Sequence, residues 1–197
     1  MNINNSKKSK ATSPRIILLG GVYGVGKTSL AHQLSIELNI FQRAGLGAIT
    51  KTVKTILPEN KIVKEWGEYK SPKLELIEEK FLRECELIGR VVNTLVKSAC
   101  TTGEDYIVDG VQLLPQFLPL DKIYFGIITV SDYSEYQKRF EHPTLTRVRH
   151  LNNATTEIAK NIEQVILKEA KKLNIPIFDN LKPIKETSKE IRNHFGL

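Results

Sequence analysis

Cysteine is scarce: Cys85 and Cys100 are the only two in 197 residues, and both fall inside one predicted helix. Their fifteen-residue separation is about 22 Å along a helix axis, beyond the reach of a disulfide. A disulfide-built secreted scaffold is therefore excluded, and the two side chains read as reduced, packed thiols. No C-x-x-C pair, histidine-rich tract or zinc-spaced ligand set occurs, so no structural metal is expected. Long apolar runs are missing as well. None approaches the roughly 18 residues of a membrane span, and the polar N-terminus lacks the apolar core of a secretory leader. The expectation is a cytoplasmic chain with no membrane partner.

Acidic residues are absent from two stretches. The first fifteen residues hold Lys7, Lys8, Lys10 and Arg15 and no carboxylate, so most of the net charge of +7 belongs to this end. Residues 1–14, rich in Asn, Ser and Lys, read as a disordered basic tail, with a nucleic-acid arm as the sharper alternative. The remainder is only mildly basic and shows no interleaving of aromatic and basic residues, so nucleic acid is not the expected partner. The second gap runs from Gln42 to Leu57, again without a single carboxylate.

Glycine is not scarce, and it clusters. Arg15 to Leu38 reads RIILLGGVYGVGKTSLAHQLSIEL, in which Gly21, Gly26, Lys27 and Thr28 match G-x-x-x-x-G-K-[ST]. Glycines let the backbone adopt positive φ, so that successive N–H groups can converge on an anion. The start of the following helix adds unsatisfied donors and partial positive charge. The loop Gly21, Val22, Tyr23, Gly24, Val25, Gly26, Lys27, Thr28 and Ser29 is thus the candidate ATP cradle, with Lys27 on the β- and γ-phosphates and the Thr28 hydroxyl on Mg²⁺. Its flanks agree. Ile16 to Leu19 is a continuous apolar run suited to a central parallel strand, and Leu30, Leu34 and Leu38 form a buried helical stripe.

Downstream, strands and helices alternate. A short strand breaks at Gly45 and Gly47, and a helix is predicted over 48–57. A longer one starts at Pro72, with Leu74, Ile77, Phe81, Cys85, Ile88, Val92, Leu95 and Ala99 in steps of three and four. Trp66, between these helices, reads as a loop plug against the core. Residues 105–109, DYIVD, form a strand ending on Asp109, where open parallel sheets place ligands. A carboxylate there can hold Mg²⁺ or take a proton from an acceptor. Strands over 123–130 and 175–178, with helices over 133–140, from Asn153 and over 187–195, complete the alternation. Five strands separated by helices imply a parallel sheet with right-handed crossovers, in a single α/β domain spanning 15–197. The oligomeric state stays open, a homodimer included.

With these motifs, the chain from Arg15 onward resembles the small phosphate-loop kinases of the nucleoside-monophosphate-kinase type, and among them the 2-phosphoglycerate kinase family. The resemblance rests on GGVYGVGKTSLA, on IVDGVQLLP after the long helix, and on the arginine-bearing stretch leading through NIEQVILKEAKKLNIPIFDN. It implies a P-loop sandwich with strand order 2-3-1-4-5 and helices on both faces, ATP with Mg²⁺, and a small hydroxylated acceptor. It further implies a lid around 139–153, within which Arg139, Arg147 or Arg149 offsets charge in the transition state. The loop after the fifth strand commonly borders the purine in this architecture, which makes Asn180 a base-contact candidate. Such kinases usually carry an acidic residue just after the second strand; this chain has RAGLGAITKTVK there. Arg43, Lys51 and Lys54 are the candidates to hold an anionic acceptor, and Asp109 becomes the base candidate. The expected function is therefore an ATP-dependent phosphotransferase acting on a small anionic metabolite. A kinase of polynucleotide ends or nucleosides, and a nucleotide-binding switch without transferase activity, are the alternatives.

Overall fold

The four-residue apolar run after Arg15 becomes the middle of the sheet: β1 spans Ile16–Gly20, and every residue in it is buried. In the computed structural model, residues 13–69, 71, 73–141 and 153–197 are described, without the side chains of 140, 141 and 153–155. The basic residues of the tail, and Arg147 and Arg149 of the expected lid, lie outside these.

Chain order is β1, α1 (Lys27–Glu37), β2 (Gln42–Gly45), α2 (Leu46–Ile56), α3 (Lys61–Lys64), α4 (Leu74–Thr102), β3 (Tyr106–Asp109), β4 (Tyr124–Thr129), α5 (Tyr133–Glu141), α6 (Asn153–Lys172), β5 (Ile177–Asp179) and α7 (Ile184–Phe195). Two short 3₁₀ turns, Pro115–Phe117 and Leu120–Lys122, bridge β3 and β4. The sheet order is β2-β3-β1-β4-β5, all neighbours parallel, as expected. The crossover from β1 to β2 runs one way along the sheet and those from β2 to β3 and from β4 to β5 run the other, so right-handedness sends α1 to one face and α4 and α6 to the opposite face. The packing agrees, with α1 against α7 and α4 against α6.

Polar contacts pin the ends of several elements to one another. Arg15 donates from its backbone to Asp105 at 2.6 Å and from Nε at 2.8 Å, aligning the starts of β1 and β3. Ser188 Oγ and Arg192 Nε both reach Glu37 Oε2, at 2.6 and 3.0 Å, tying α7 to the end of α1. Trp66 is buried at 4% exposure, the loop plug its sequence position suggested. The thiols are a partial correction. Cys85 is buried and Cys100 is exposed, because position 100 lies one residue past the stripe that ends at Ala99. Among the described residues no helix is long and apolar enough to cross a membrane.

Candidate active site

The glycine loop closes between β1 and α1, where the sheet's crossovers diverge. Gly24 and Gly26 have φ of 85° and 89°, flanking Val25, a backbone pattern suited to an anion-binding nest. At Gly26 only glycine fits: a Cβ would overlap the side-chain amide of Asn180 as well as demand a left-handed backbone. Val22 and Val25 are buried at 1% and 0% exposure, so of these two expected nucleotide contacts only the backbone can take part. Lys27 is 7% exposed and curls back over the loop, with Nζ donating to the Val22 carbonyl at 2.6 Å. Ser29 is exposed.

Thr28 and Asp109 meet across eighty-one residues of sequence, Thr28 Oγ1 donating to Asp109 Oδ2 at 2.7 Å. The register explains it. Leu19 and Gly45 both pair with Asp109, which places the carboxylate at the carboxyl edge between β1 and β2, beside the first turn of α1. Gly110 follows, and its lack of a side chain lets Leu46 of α2 pack directly over the turn. Two hard oxygen donors on adjacent elements, next to a lysine and a glycine loop, fit Mg²⁺ carried by a polyphosphate, which takes few protein ligands and keeps several waters. Among the described residues no three His, Cys, Asp or Glu side chains gather as a metal cage.

Asn180 is 5% exposed, and its Nδ2 donates to the Val25 carbonyl at 2.9 Å while its backbone N–H reaches the Thr129 carbonyl at 2.9 Å. It braces the loop from behind. Arg139 stands on the other side of the same residue, Nη1 donating to the Asn180 carbonyl at 2.8 Å and Nε pairing with Glu135 at 2.9 Å. Of the three lid arginines this is the one within the described residues, and it joins the loop through Asn180. Replacing Asn180 by alanine is expected to weaken nucleotide binding about fivefold to tenfold, the worth of roughly one hydrogen bond. Equilibrium titration checks this, and the acceptor KM should be unchanged.

The expected acceptor cations are scattered. Arg43 is exposed on the edge strand β2 and Lys51 is exposed on α2. Lys54 is committed to the loop ahead of α4, its Nζ donating to the Trp66 carbonyl at 2.9 Å.

Sequence reasoning missed a buried carboxylate. Glu84 on α4 is 1% exposed and accepts from the Gly67 N–H at 3.0 Å and the Tyr69 hydroxyl at 3.1 Å, with the Gln112 side chain nearby. Its signal was present: Phe81, Glu84, Cys85 and Ile88 occupy one helical face, so a charge sits in the apolar stripe. Burial raises the Glu84 carboxyl above its ordinary value of 4.5, and burial together with Glu84 lifts the Tyr69 phenol. A carboxyl raised on folding stabilises the native chain while neutral, below its unfolded value, and that contribution is lost as pH rises through the folded value. The melting temperature of Glu84→Gln relative to the unsubstituted chain should therefore improve from about pH 4 to about pH 8. Melts across that range check the sign.

No family model matches the chain. It is similar to 2-phosphoglycerate kinase of Pyrococcus horikoshii, at 24% identity over 92% of this chain and 64% of that one. The protein of the same name from Pyrococcus furiosus is 26% identical over 87% of this chain and 61% of that one. The chain thus spans about three fifths of the length of these curated relatives. Among solved structures, shikimate kinase from Aquifex aeolicus superposes with a TM-score of 0.56 at 21% identity, covering 92% of this chain and 96% of that one. A sugar kinase from Janibacter gives 0.54 at 16% identity, covering 93% and 95%. The fold is that of the P-loop kinases.

Proposed function

We propose that the chain is an ATP-dependent kinase that transfers the γ-phosphoryl group to a hydroxyl of a small metabolite, with 2-phosphoglycerate as the leading acceptor. The contact that carries this reading is Thr28 Oγ1 on Asp109 Oδ2 at 2.7 Å, directly beside Lys27 on the glycine loop. It brings a hydroxyl, a carboxylate and an ammonium together at the carboxyl edge of the sheet, where a bound triphosphate would be met. The names of the relatives support both the reaction and the acceptor.

In this reading the loop amides and Lys27 hold the β- and γ-phosphates, and Thr28 and Asp109 hold Mg²⁺. Mg²⁺ held there would neutralise charge on the phosphoryl oxygens. Alternatively, Asp109 would take the acceptor's hydroxyl proton. Arg139 supports the loop through Asn180 rather than being free to reach across to the phosphates, so charge compensation from a lid falls to Arg147 or Arg149. Arg43 and Lys51 remain the exposed cations available to an anionic acceptor.

The test is ³¹P NMR of product mixtures from MgATP and a panel containing 2-phosphoglycerate, other phosphorylated and unphosphorylated hydroxy acids, sugars, nucleosides and a 5′-hydroxyl oligonucleotide. A new phosphoester signal with 2-phosphoglycerate supports the full reading. Transfer to another small acceptor retains the kinase and changes its substrate. Transfer to the oligonucleotide alone, or to none, overturns it.

A further inference from the structure

The loop of residues 65–69 lies between α3 and α4, and three side chains on two elements, α2 and α4, hold it. From α4, Lys80 Nζ donates to the carbonyls of Glu65, at 2.6 Å, and Glu68. From α2, Lys54 donates to Trp66. From the interior, Glu84 accepts from Gly67 and Tyr69, one carboxylate oxygen to each. Lys80 also stands over the Tyr69 ring, 5.2 Å from its centroid. Gly67, with φ of 77°, turns the chain so that its N–H can face Glu84.

The position of this loop gives the clamp a use. The Gln112 side chain, three residues beyond Asp109, stands near enough to Glu84 to favour its charged form, and Tyr69 lies close enough to Tyr23 of the glycine loop for the two phenols to sense each other's charge. The cluster Tyr23, Tyr69, Glu84 and Gln112 therefore joins the phosphate loop, the 65–69 loop, α4 and the segment after β3. A carboxylate at 1% exposure is a costly way to fill space that an apolar side chain could fill. What it adds is direction, since it aims one oxygen at a backbone amide and the other at a phenol.

We propose that Glu84 is a positioning residue of the phosphoryl acceptor site: it fixes Tyr69 and the 65–69 loop beside Tyr23 and Gln112, forming the wall against which the acceptor is held. This rests on the kinase reading above. It also accounts for the carboxylate-free stretch after β2, because the ordering carboxylate comes from α4 and acts on the wall rather than on the substrate.

The test uses Glu84→Gln, which keeps the volume and places an amide donor where one of two donors must be accepted, together with Tyr69→Phe and the double variant. Steady-state kinetics are measured on the full chain with 2-phosphoglycerate varied at saturating MgATP, and with MgATP varied. Hydrogen exchange is followed at the Gly67 and Leu30 amides. Glu84→Gln should raise the acceptor KM about tenfold, with kcat within about threefold and the MgATP KM within about twofold. Tyr69→Phe should raise the acceptor KM as well, and the double variant should be no worse than Glu84→Gln alone, since both remove one interaction. Gly67 exchange should speed up while Leu30 exchange stays fixed. An unchanged acceptor KM, or equal losses for both substrates, overturns the proposal. If the unsubstituted chain transfers to another small acceptor instead, the same KM comparison with that acceptor decides the proposal; if it transfers to none, the kinase reading fails and the proposal is overturned with it.

Discussion

Lys27→Ala is expected to lower phosphoryl transfer by about a thousandfold, equivalent to about 4 kcal/mol of transition-state stabilisation. The size follows from burial and position. Lys27 is 7% exposed at the start of α1, so its charge acts in a site where water competes poorly, on oxygens that gain charge as the bond to the β-phosphate breaks. The fold should survive. Among what it removes is the hydrogen bond to the Val22 carbonyl, worth about 1 kcal/mol, and the substitution opens no large cavity in the apolar core. Quench-flow or coupled assays at saturating acceptor check the rate, and a melt checks the fold. A variant that melts with the unsubstituted chain and retains its rate would remove Lys27 from the chemistry.

Asp109→Asn is expected to separate turnover from binding. An asparagine keeps the shape and can still accept from Thr28 through Oδ1, so the strand end and loop should hold their places. It loses the negative charge that draws Mg²⁺ and the capacity to take a proton. Turnover should fall about 100-fold or more while nucleotide affinity changes about threefold or less, since the proposed reading gives most of the phosphate contacts to the loop amides and Lys27. Measuring kcat and the nucleotide Kd on the same preparation tests the split. Equal losses in both would show that Asp109 serves the loop's geometry rather than the reaction.

Much of this arrangement is legible in the sequence because its causes are local. A continuous apolar run makes β1, a three-and-four spacing makes α1 and α4, and glycines ahead of Lys27 make the loop. Asp109 is readable because a short apolar strand ends on it and Gly110 turns the chain at once. The sheet order came from resemblance rather than from periodicity, and the structure has it as expected. Boundaries shifted at helix starts that no side chain caps: α2 starts at Leu46, directly after the extended Gly45, and α7 starts at Ile184, directly after Pro183.

The less legible features depend on contacts between distant residues. Asn180 braces Val25 from 155 positions away, which no window of sequence reveals. Lys54 looks like one more cation on a polar helix face until the Trp66 carbonyl is seen beneath it. Glu84 was available as a charge in an apolar stripe, but only the fold shows that Gly67, Tyr69 and Gln112 converge on it. Brace, clamp and buried carboxylate all order loops, and such order is set by tertiary contacts rather than by propensity.

The central claim is that this site moves a phosphoryl group to a small hydroxylated acceptor rather than to water. The most direct measurement is single-turnover transfer from γ-labelled ATP with Mg²⁺, with and without 2-phosphoglycerate, partitioning the label between acceptor and inorganic phosphate. The account predicts that label passes to the acceptor far faster than to water, and that Lys27→Ala loses the transfer. Label released only as inorganic phosphate, at a rate the acceptor does not change, would contradict it.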